Sequence, residues 1–384
     1  MAARIASVTV SADGEVVTVG WGADGPHSAT QTRFPALWLR DNCQTPDCLH
    51  PETLQRQVDV FAFEAPVLAA SAEAVEGGRT LALTWRHEEH VSRLSADFLH
   101  AMAVDEGAES ATHHLWTRPD FPEGGLPSVA YEAVMAGDRG LRDWLEGVER
   151  FGFCLVEGVP PTAEATRALA ERVGYLRQTI FGDFWDFTAD LARADTAYTS
   201  LAITPHTDST YSHDAPGLQM FHVLEFDGEG GESVLVDGFA IADQIRRADP
   251  AAYEVLTSVE VPGRYLEDGI HLEARRPVIR LDAKGRVAQV SFNHHDRAPF
   301  LLPEAEQEAF YRAYGLFHRM ANEAGRQLVF GLRPGRALLF DNWRTLHGRL
   351  AYQGRRRLCG AYHNREDFES RLRTLKAARA QQAA

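Results

Sequence analysis

The chain has 384 residues, 45% hydrophobic and 24% charged, the balance of an ordinary globular protein long enough for one large domain and a smaller one. Its 39 basic and 54 acidic residues leave a formal charge of −15, which argues against nucleic acid or an anionic membrane as the main partner. No apolar run approaches the length of a membrane span, and four cysteines, with Cys154 and Cys359 each alone in apolar surroundings, do not make a disulfide framework.

Residues 6–21 read as a β-hairpin: Ser7-Val8-Thr9-Val10, a turn at Ala12-Asp13-Gly14, then Val16-Val17-Thr18-Val19. An amino terminus that enters a strand this early is expected to be neither a secretory signal nor a transit peptide, so a reducing cytoplasm is the expected location. Phe34–Arg40 leads into Asp41-Asn42-Cys43-Gln44-Thr45-Pro46-Asp47-Cys48-Leu49-His50, and Thr80–Trp85 reads as a further hairpin-like region ending near His87 and His90. Residues 1–110 are expected to form a small β-rich domain, with the Pro- and Gly-bearing segment 117–128 linking it to a larger domain over 120–384.

Further on, Leu141, Trp144, Leu145 and Val148 have helical spacing, and Phe153–Val156 reads as a buried strand. Thr162 is placed to cap a helix running to about Val173. Short strands follow at Leu218–Glu225 and Ser233–Val236, then a helical insertion over about 240–256 and strands around 278–292. Phe310, Tyr314, Phe317 and Met320 mark another helix, Pro334-Gly335 a turn, and Ala337–Phe340 and Leu358–Tyr362 the closing strands. The Ala/Gln/Arg-rich end after about Lys376 is expected to fray. Many short strands with helices as insertions predict a mainly β fold, a double-stranded β-helix (jelly roll), rather than a doubly wound sheet.

The candidate chemistry lies in Thr204-Pro205-His206-Thr207-Asp208 and in Asp341-Asn342-Trp343-Arg344-Thr345-Leu346-His347. On an extended segment His206 and Asp208 point to the same face, and a distant third ligand, His347, follows an apolar strand. Two imidazoles and one carboxylate on one face of a metal is the ligand set of non-haem Fe(II) oxygenases. Alone, His-x-Asp is a weak signal: Asp208 equally suits a turn cap, and His206 a half-buried hydrogen-bonded histidine. Arg355, Arg356 and Arg357 lie 8 to 10 positions beyond His347, where one guanidinium can fork onto the far carboxylate of a keto acid and the others form a solvated basic turn.

Longer stretches carry a resemblance: Phe187–Tyr198, the Gly230-Gly-Glu-Ser233-Val-Leu-Val-Asp-Gly238 segment, Pro334–Arg349, Arg356–Tyr362 and the amino-terminal Trp38-Leu-Arg-Asp-Asn-Cys43. Together they resemble the trimethyllysine and γ-butyrobetaine dioxygenases, a family of Fe(II)/2-oxoglutarate enzymes of carnitine biosynthesis, over nearly the whole chain. The resemblance implies His206, Asp208 and His347 as iron ligands, with Arg356 and, less directly, Ser233 binding 2-oxoglutarate. It also implies ascorbate as reductant and a homodimer. A quaternary ammonium cannot donate a hydrogen bond, so aromatic faces are its fitting receptor, and Phe181, Trp185, Tyr198 and Tyr362 fall at the family's cage positions. Phe181 departs from the expected tyrosine; without the resemblance these four read as core aromatics.

Asp195 stands where the butyrobetaine enzymes carry asparagine, and a carboxylate suits the α-ammonium of trimethyllysine; Asn293 is a further candidate for the substrate's polar end. The family's small domain holds zinc through three cysteines and a histidine. Thr45 replaces the middle cysteine here, which leaves Cys43, Cys48 and His90 as preferred ligands, His50 as a substitute, and two buried thiols as the alternative. The reaction implied is hydroxylation of N6,N6,N6-trimethyl-lysine at C3. Hydroxylation of γ-butyrobetaine or a related betaine, and a jelly roll that binds a quaternary ammonium without oxidising it, are the competing readings.

Overall fold

The computed structural model describes residues 3–22, 31–103, 113–122, 125–188 and 199–383. The chain divides into two compact units, Met1–Ser110 and Ala111–Ala384. In the small unit, β1 (Ile5–Val10), β2 (Val16–Trp21) and β3 (Gln31–Pro35) form one antiparallel sheet, and α1 (Ala36–Asp41) follows. A second sheet contains β4 (Ala69–Val75), β5 (Thr80–Trp85) and β6 (Val91–Ser95), followed by α2 (Ala96–Ala103). The hairpin read from residues 6–21 is β1–β2, turning at Gly14 with a φ of 85°. Val17, Val19, Leu39, Leu81, Leu83, Leu94 and Leu99 make the unit's core.

The large unit opens with β7 (Ser128–Ala130), α3 (Tyr131–Ala136), α4 (Asp138–Phe151), β8 (Phe153–Glu157), α5 (Ala163–Glu171) and β9 (Phe184–Thr188). It continues through β10 (Ile203–His206), β11 (Leu218–Gly230), β12 (Ser233–Asp237), α6 (Gly238–Ala248), α7 (Pro250–Ser258) and the hairpin β13 (Val261–Glu267) and β14 (Ile270–Arg276). Then come β15 (Ile279–Leu281), β16 (Val287–Val290), α8 (Glu304–Ala321), β17 (Leu328–Phe330), β18 (Arg336–Asp341), β19 (Thr345–Arg349), β20 (Tyr352–His363) and α9 (Arg365–Ala383). From β9 to β12 and again from β17 to β20, successive strands alternate between a six-stranded sheet, β7-β8-β18-β11-β20-β9, and a four-stranded sheet, β10-β19-β12-β17. This is the double-stranded β-helix that the strand pattern predicts.

The period of two along each strand divides the residues between two environments. On the six-stranded sheet, Cys154, Val156, Leu218, Met220, Ala337, Leu339 and Ala361 pack outward against Leu141, Trp144, Leu145 and Val148 of α4 and against Leu169 of α5. Their neighbours Phe153, Leu155, Val223, Leu338, Phe340, Leu358 and Tyr362 point into the space between the sheets. Val236 and Leu346 of the smaller sheet pack outward against α6, α7 and α8. Both outer faces are thus sealed by helices, and the interior is left for the site. The helical spacing read at Leu141–Val148 is α4, which ends at Gly152 with a φ of 79°.

Two elements differ from the sequence reading. The hairpin β13–β14 was not among the expected strands. The carboxyl end does not fray after Lys376: α9 runs to Ala383, because Phe368, Leu372 and Leu375 pack into the α4 core and Lys376 pairs with Glu149 at 2.6 Å. Ala, Lys, Arg and Gln are strong helix formers, so the outer turns continue what packing begins.

A fully buried ion pair ties the layers together. Arg344, at the entry to β19, donates to Asp237 at 2.8 Å and 3.2 Å, with both side chains at 0% exposure. It also donates to the carbonyls of Arg150 and His114, and Asp237 accepts from the backbone N–H groups of Trp116, Phe239 and Ala240, the latter two capping α6. Removing one partner strands the other charge in a dry interior. Asp237→Ala is expected to lower unfolding stability by about 3–5 kcal/mol, against less than about 1 kcal/mol for Arg355→Ala at an exposed pair, both read from urea denaturation.

Candidate active site

His206 closes β10 and His347 sits in the middle of β19, and the antiparallel register sets the two directly opposite each other. Their ring centroids are 4.3 Å apart. Asp208 lies just beyond the end of β10, ahead of a turn in which Ser209 takes a φ of 59°. Asn342 clamps this turn: its Oδ1 accepts from Asp208 N at 2.8 Å, and its Nδ2 donates to the carbonyls of Asp208 and Pro216. One nitrogen from each histidine and one carboxylate oxygen then lie within 4.8 Å of one another.

The hydrogen bonds around the triad prepare it for a metal. His206 Nδ1–H donates to the Thr204 carbonyl at 2.8 Å, which leaves Nε2 as the lone-pair nitrogen, 3.3 Å from Asp208 Oδ1. His347 Nε2 is 3.5 Å from the same oxygen. The other carboxylate oxygen, Oδ2, accepts from the Tyr362 hydroxyl at 2.8 Å, and Gln219 Nε2 donates to that hydroxyl at 3.2 Å. Asp208 therefore presents a single oxygen.

Electrostatics agree with this assignment. Burial would raise the Asp208 pKa, but the facing His347 and His206 and the Tyr362 hydroxyl outweigh it and hold the carboxyl below its usual range. Burial, with His206 beside it, pushes His347 down to about 3, so this imidazole is neutral. For His206 burial acts downward, but the hydrogen bond and charge of Asp208 raise it on balance. A divalent cation would replace the proton that Asp208 favours there.

The triad forms the floor of a cavity also lined by Ser233, Arg356, Phe181, Trp185, Tyr362 and Asn293. Asp195 and Tyr198 lie outside the described residues. Alternation along β20 separates the three arginines. Arg355 and Arg357 point outward, pairing with Glu225 and with Asp186 and Glu225, whereas Arg356 is buried and has no carboxylate within ion-pair distance among the described residues. Burial and the neighbouring Arg349 pull Arg356 down to about 10, still a cation at neutral pH. An unpaired buried guanidinium beside a cavity is a receptor for a carboxylate.

The opposite wall is aromatic. Trp185, on edge strand β9, lies across Gly360 of β20, where a Cβ would come within 2.5 Å of the indole. It stands 6.2 Å from the Tyr362 ring, and Phe181 stands 6.1 Å from Tyr265. Tyr211, Gln219, Phe221, Tyr265 and Asp296 also line the cavity and escaped the sequence reading. Tyr265 arrives on the unforeseen hairpin, and no local pattern marks it. Asn293 spends its amide locally, donating to Asp296 at 2.7 Å and accepting from the backbone N–H groups of His295 and Asp296.

In the small unit, Cys43, Cys48 and His90 form a second cluster of ligand atoms within 4.8 Å. His90 Nε2 lies 3.3 Å and 3.4 Å from the two sulfurs, and Thr45 Oγ1 lies 3.2 Å from Cys43. Burial raises the Cys43 pKa, but hydrogen bonds from Ser92, Thr45 and His90 more than offset it and bring it down to about 6, while burial raises Cys48. His50 stays out of the cluster, its Nδ1 accepting from the backbone of Glu52 and Thr53. Tyr362→Phe keeps a ring at its place but frees Asp208 Oδ2. It is expected to weaken Fe(II) binding roughly 10- to 100-fold, measured by anaerobic titration, since a hydrogen bond to a charged group contributes about 1.5–3 kcal/mol.

Residues 119–362 match the model of the taurine catabolism dioxygenase TauD, TfdA family. A trimethyllysine dioxygenase of Meyerozyma guilliermondii is 38% identical over 97% of this chain and 96% of its own length. The mitochondrial trimethyllysine dioxygenase of Gallus gallus is 34% identical over 94% and 89%, and the human gamma-butyrobetaine dioxygenase 29% over 90% and 92%. The match spans both units and includes every segment that supplies the triad, so the chain belongs to the TauD/TfdA family of dioxygenases and, within it, to the trimethyllysine dioxygenases.

Proposed function

We propose that this chain is an Fe(II)- and 2-oxoglutarate-dependent dioxygenase that hydroxylates N6,N6,N6-trimethyl-lysine at C3. One observation carries the reading: a His-Asp-His triad, a buried arginine with no carboxylate partner among the described residues and an aromatic wall share one cavity, in a chain 38% identical to a trimethyllysine dioxygenase. His206, His347 and Asp208 would hold the iron through two Nε2 atoms and one carboxylate oxygen. Bound there with 2-oxoglutarate and O2, the iron supplies the oxidising power to hydroxylate an unactivated C–H bond, with succinate and CO2 as coproducts.

The protein's own task is positioning. Arg356 forks onto the distal carboxylate of 2-oxoglutarate, with the Ser233 hydroxyl beside it. The faces of Phe181, Trp185 and Tyr362, joined by Tyr198, receive the trimethylammonium group, each contact contributing about 0.5–2 kcal/mol when desolvated. Asp195 takes the amino-acid end, with Asn293 acting nearby. With both ends held, C3 is the carbon turned to the metal. Asp195 is also what favours trimethyllysine over γ-butyrobetaine, whose carboxylate an aspartate would repel. A structural zinc on Cys43, Cys48 and His90, ascorbate as reductant and a homodimer complete the reading. Cys154 and Cys359, buried thiols outside that cluster, fit a reducing compartment such as the cytoplasm.

Succinate release measured with trimethyllysine and with γ-butyrobetaine tests the substrate. Trimethyllysine is expected to give the higher kcat/KM by at least about tenfold, one misplaced charge being sufficient for that ratio; the reverse order would move the reading to a betaine hydroxylase. Arg356→Ala is expected to raise the KM for 2-oxoglutarate about 10- to 100-fold and leave that for trimethyllysine nearly unchanged. An unaltered 2-oxoglutarate requirement would take the anchor away from Arg356.

A further inference from the structure

We propose that the Thr45 hydroxyl is the fourth donor of the zinc site in the small unit, with the Asp47 carboxylate accepting its hydrogen bond. The inference rests on the zinc reading of Cys43, Cys48 and His90 and deepens it. Structural zinc is four-coordinate, whereas this cluster offers two sulfurs and one nitrogen. One place is left, and its occupant has to touch the donors already there. Zinc–sulfur bonds of about 2.3 Å and zinc–nitrogen or zinc–oxygen bonds of about 2.0 Å, opened to a tetrahedral angle, put neighbouring donors roughly 3.5 Å apart.

Thr45 meets that requirement. His90 Nε2 is 3.3 Å from Cys43 Sγ and 3.4 Å from Cys48 Sγ. Thr45 Oγ1 is 3.2 Å from Cys43 Sγ and is hydrogen-bonded to Cys48 as well, so the oxygen and the nitrogen face the same pair of sulfurs. The backbone of Thr45 is fixed, its carbonyl accepting from Cys48 N and Leu49 N at 2.9 Å each. Its hydroxyl is bonded to the Asp47 carboxylate, whose Oδ2 lies 3.2 Å from His90 Nδ1. One carboxylate thus takes a hydrogen bond from the hydroxyl and from the far side of the imidazole, which leaves lone pairs of Oγ1 and Nε2 to face the cluster. His50 is no rival, since its Nδ1 is spent on the backbone of Glu52 and Thr53. The charges agree. Two thiolates neutralise a zinc ion, the Arg40 guanidinium 3.2 Å from Cys48 is matched by Glu88 at 2.6 Å, and Asp47 adds a negative charge that favours a cation.

Cobalt(II) bound to the full chain in place of zinc reports the donors. Its thiolate charge-transfer band arises only at a site with sulfur, and the His-Asp-His triad has none, so zinc affinity is read by displacement of that band. Thr45→Val keeps the shape and removes the oxygen. It is expected to weaken zinc binding at least about tenfold and to shift the visible cobalt bands, whereas Thr45→Ser stays within about threefold of wild type. Asp47→Asn is expected to cost about tenfold, the low end for such a partner because the Asp47 side chain is 68% exposed. Thr45→Cys places a third sulfur at the same position and is expected to tighten zinc binding and raise the charge-transfer intensity by about half. An unaffected Thr45→Val, a Thr45→Ser as weak as Thr45→Val, or no added intensity in Thr45→Cys overturns the proposal. The last of these decides the matter if the valine variant does not fold. Wild-type protein that gives no thiolate band removes the zinc reading and this inference together, whereas a normal wild-type band with an unaffected Thr45→Val removes only the latter.

Discussion

The pairing of β10 with β19 is the constraint on which the site depends. It sets His206 against His347, and because side chains alternate strictly along a strand, a slip of one residue would turn Leu346 into the cavity and bury His347 among helices. Several contacts hold the register. Arg344 locks the start of β19 to Asp237, and Asn342 ties the strand's approach to the backbone around Asp208. Gly348 lets β10 come close, since a Cβ there would lie 2.5 Å from the Ile203 carbonyl. Asp208, just past β10, is thus held in place by the connection leading into the strand that carries His347.

Charge is sorted along the cavity. Arg356 and Arg349 stand at one end beside Ser233, Arg349 being engaged with the carbonyls of Thr199 and Leu201, and the carboxylates Asp208 and Asp296 stand at the triad. In an interior walled by apolar side chains such charges are weakly screened. Tyr362 touches both walls, its ring lying 6.2 Å from that of Trp185 and its hydroxyl donating to the Asp208 carboxylate.

Much of this was legible in the sequence. The strand-rich pattern with inserted helices predicts the double-stranded β-helix, and the segments around His206 and His347 point to the family. Other features were not legible, for identifiable reasons. Phe368, Leu372 and Leu375 carried a helical spacing that the polar composition of the tail obscured. Tyr211, Tyr265 and Asp296 reach the cavity from a turn, a hairpin and a loop with no shared periodicity. The basic run at 355–357 has three equivalent arginines as a string of letters, and its pairing with β11 and β9 turns one inward and two outward.

What the sequence by itself determined is local and periodic: which stretches are strands, which faces are apolar, and which residue types can bind a metal or a quaternary ammonium. Only the tertiary structure decided which oxygen of Asp208 is taken by Tyr362 and which of the three arginines turns into the cavity. The physical reason is range. Alternation and capping act over a few bonds and leave their mark on neighbouring letters, whereas a cavity is assembled from side chains on strands and loops more than a hundred residues apart, brought together by sheet register and helix packing.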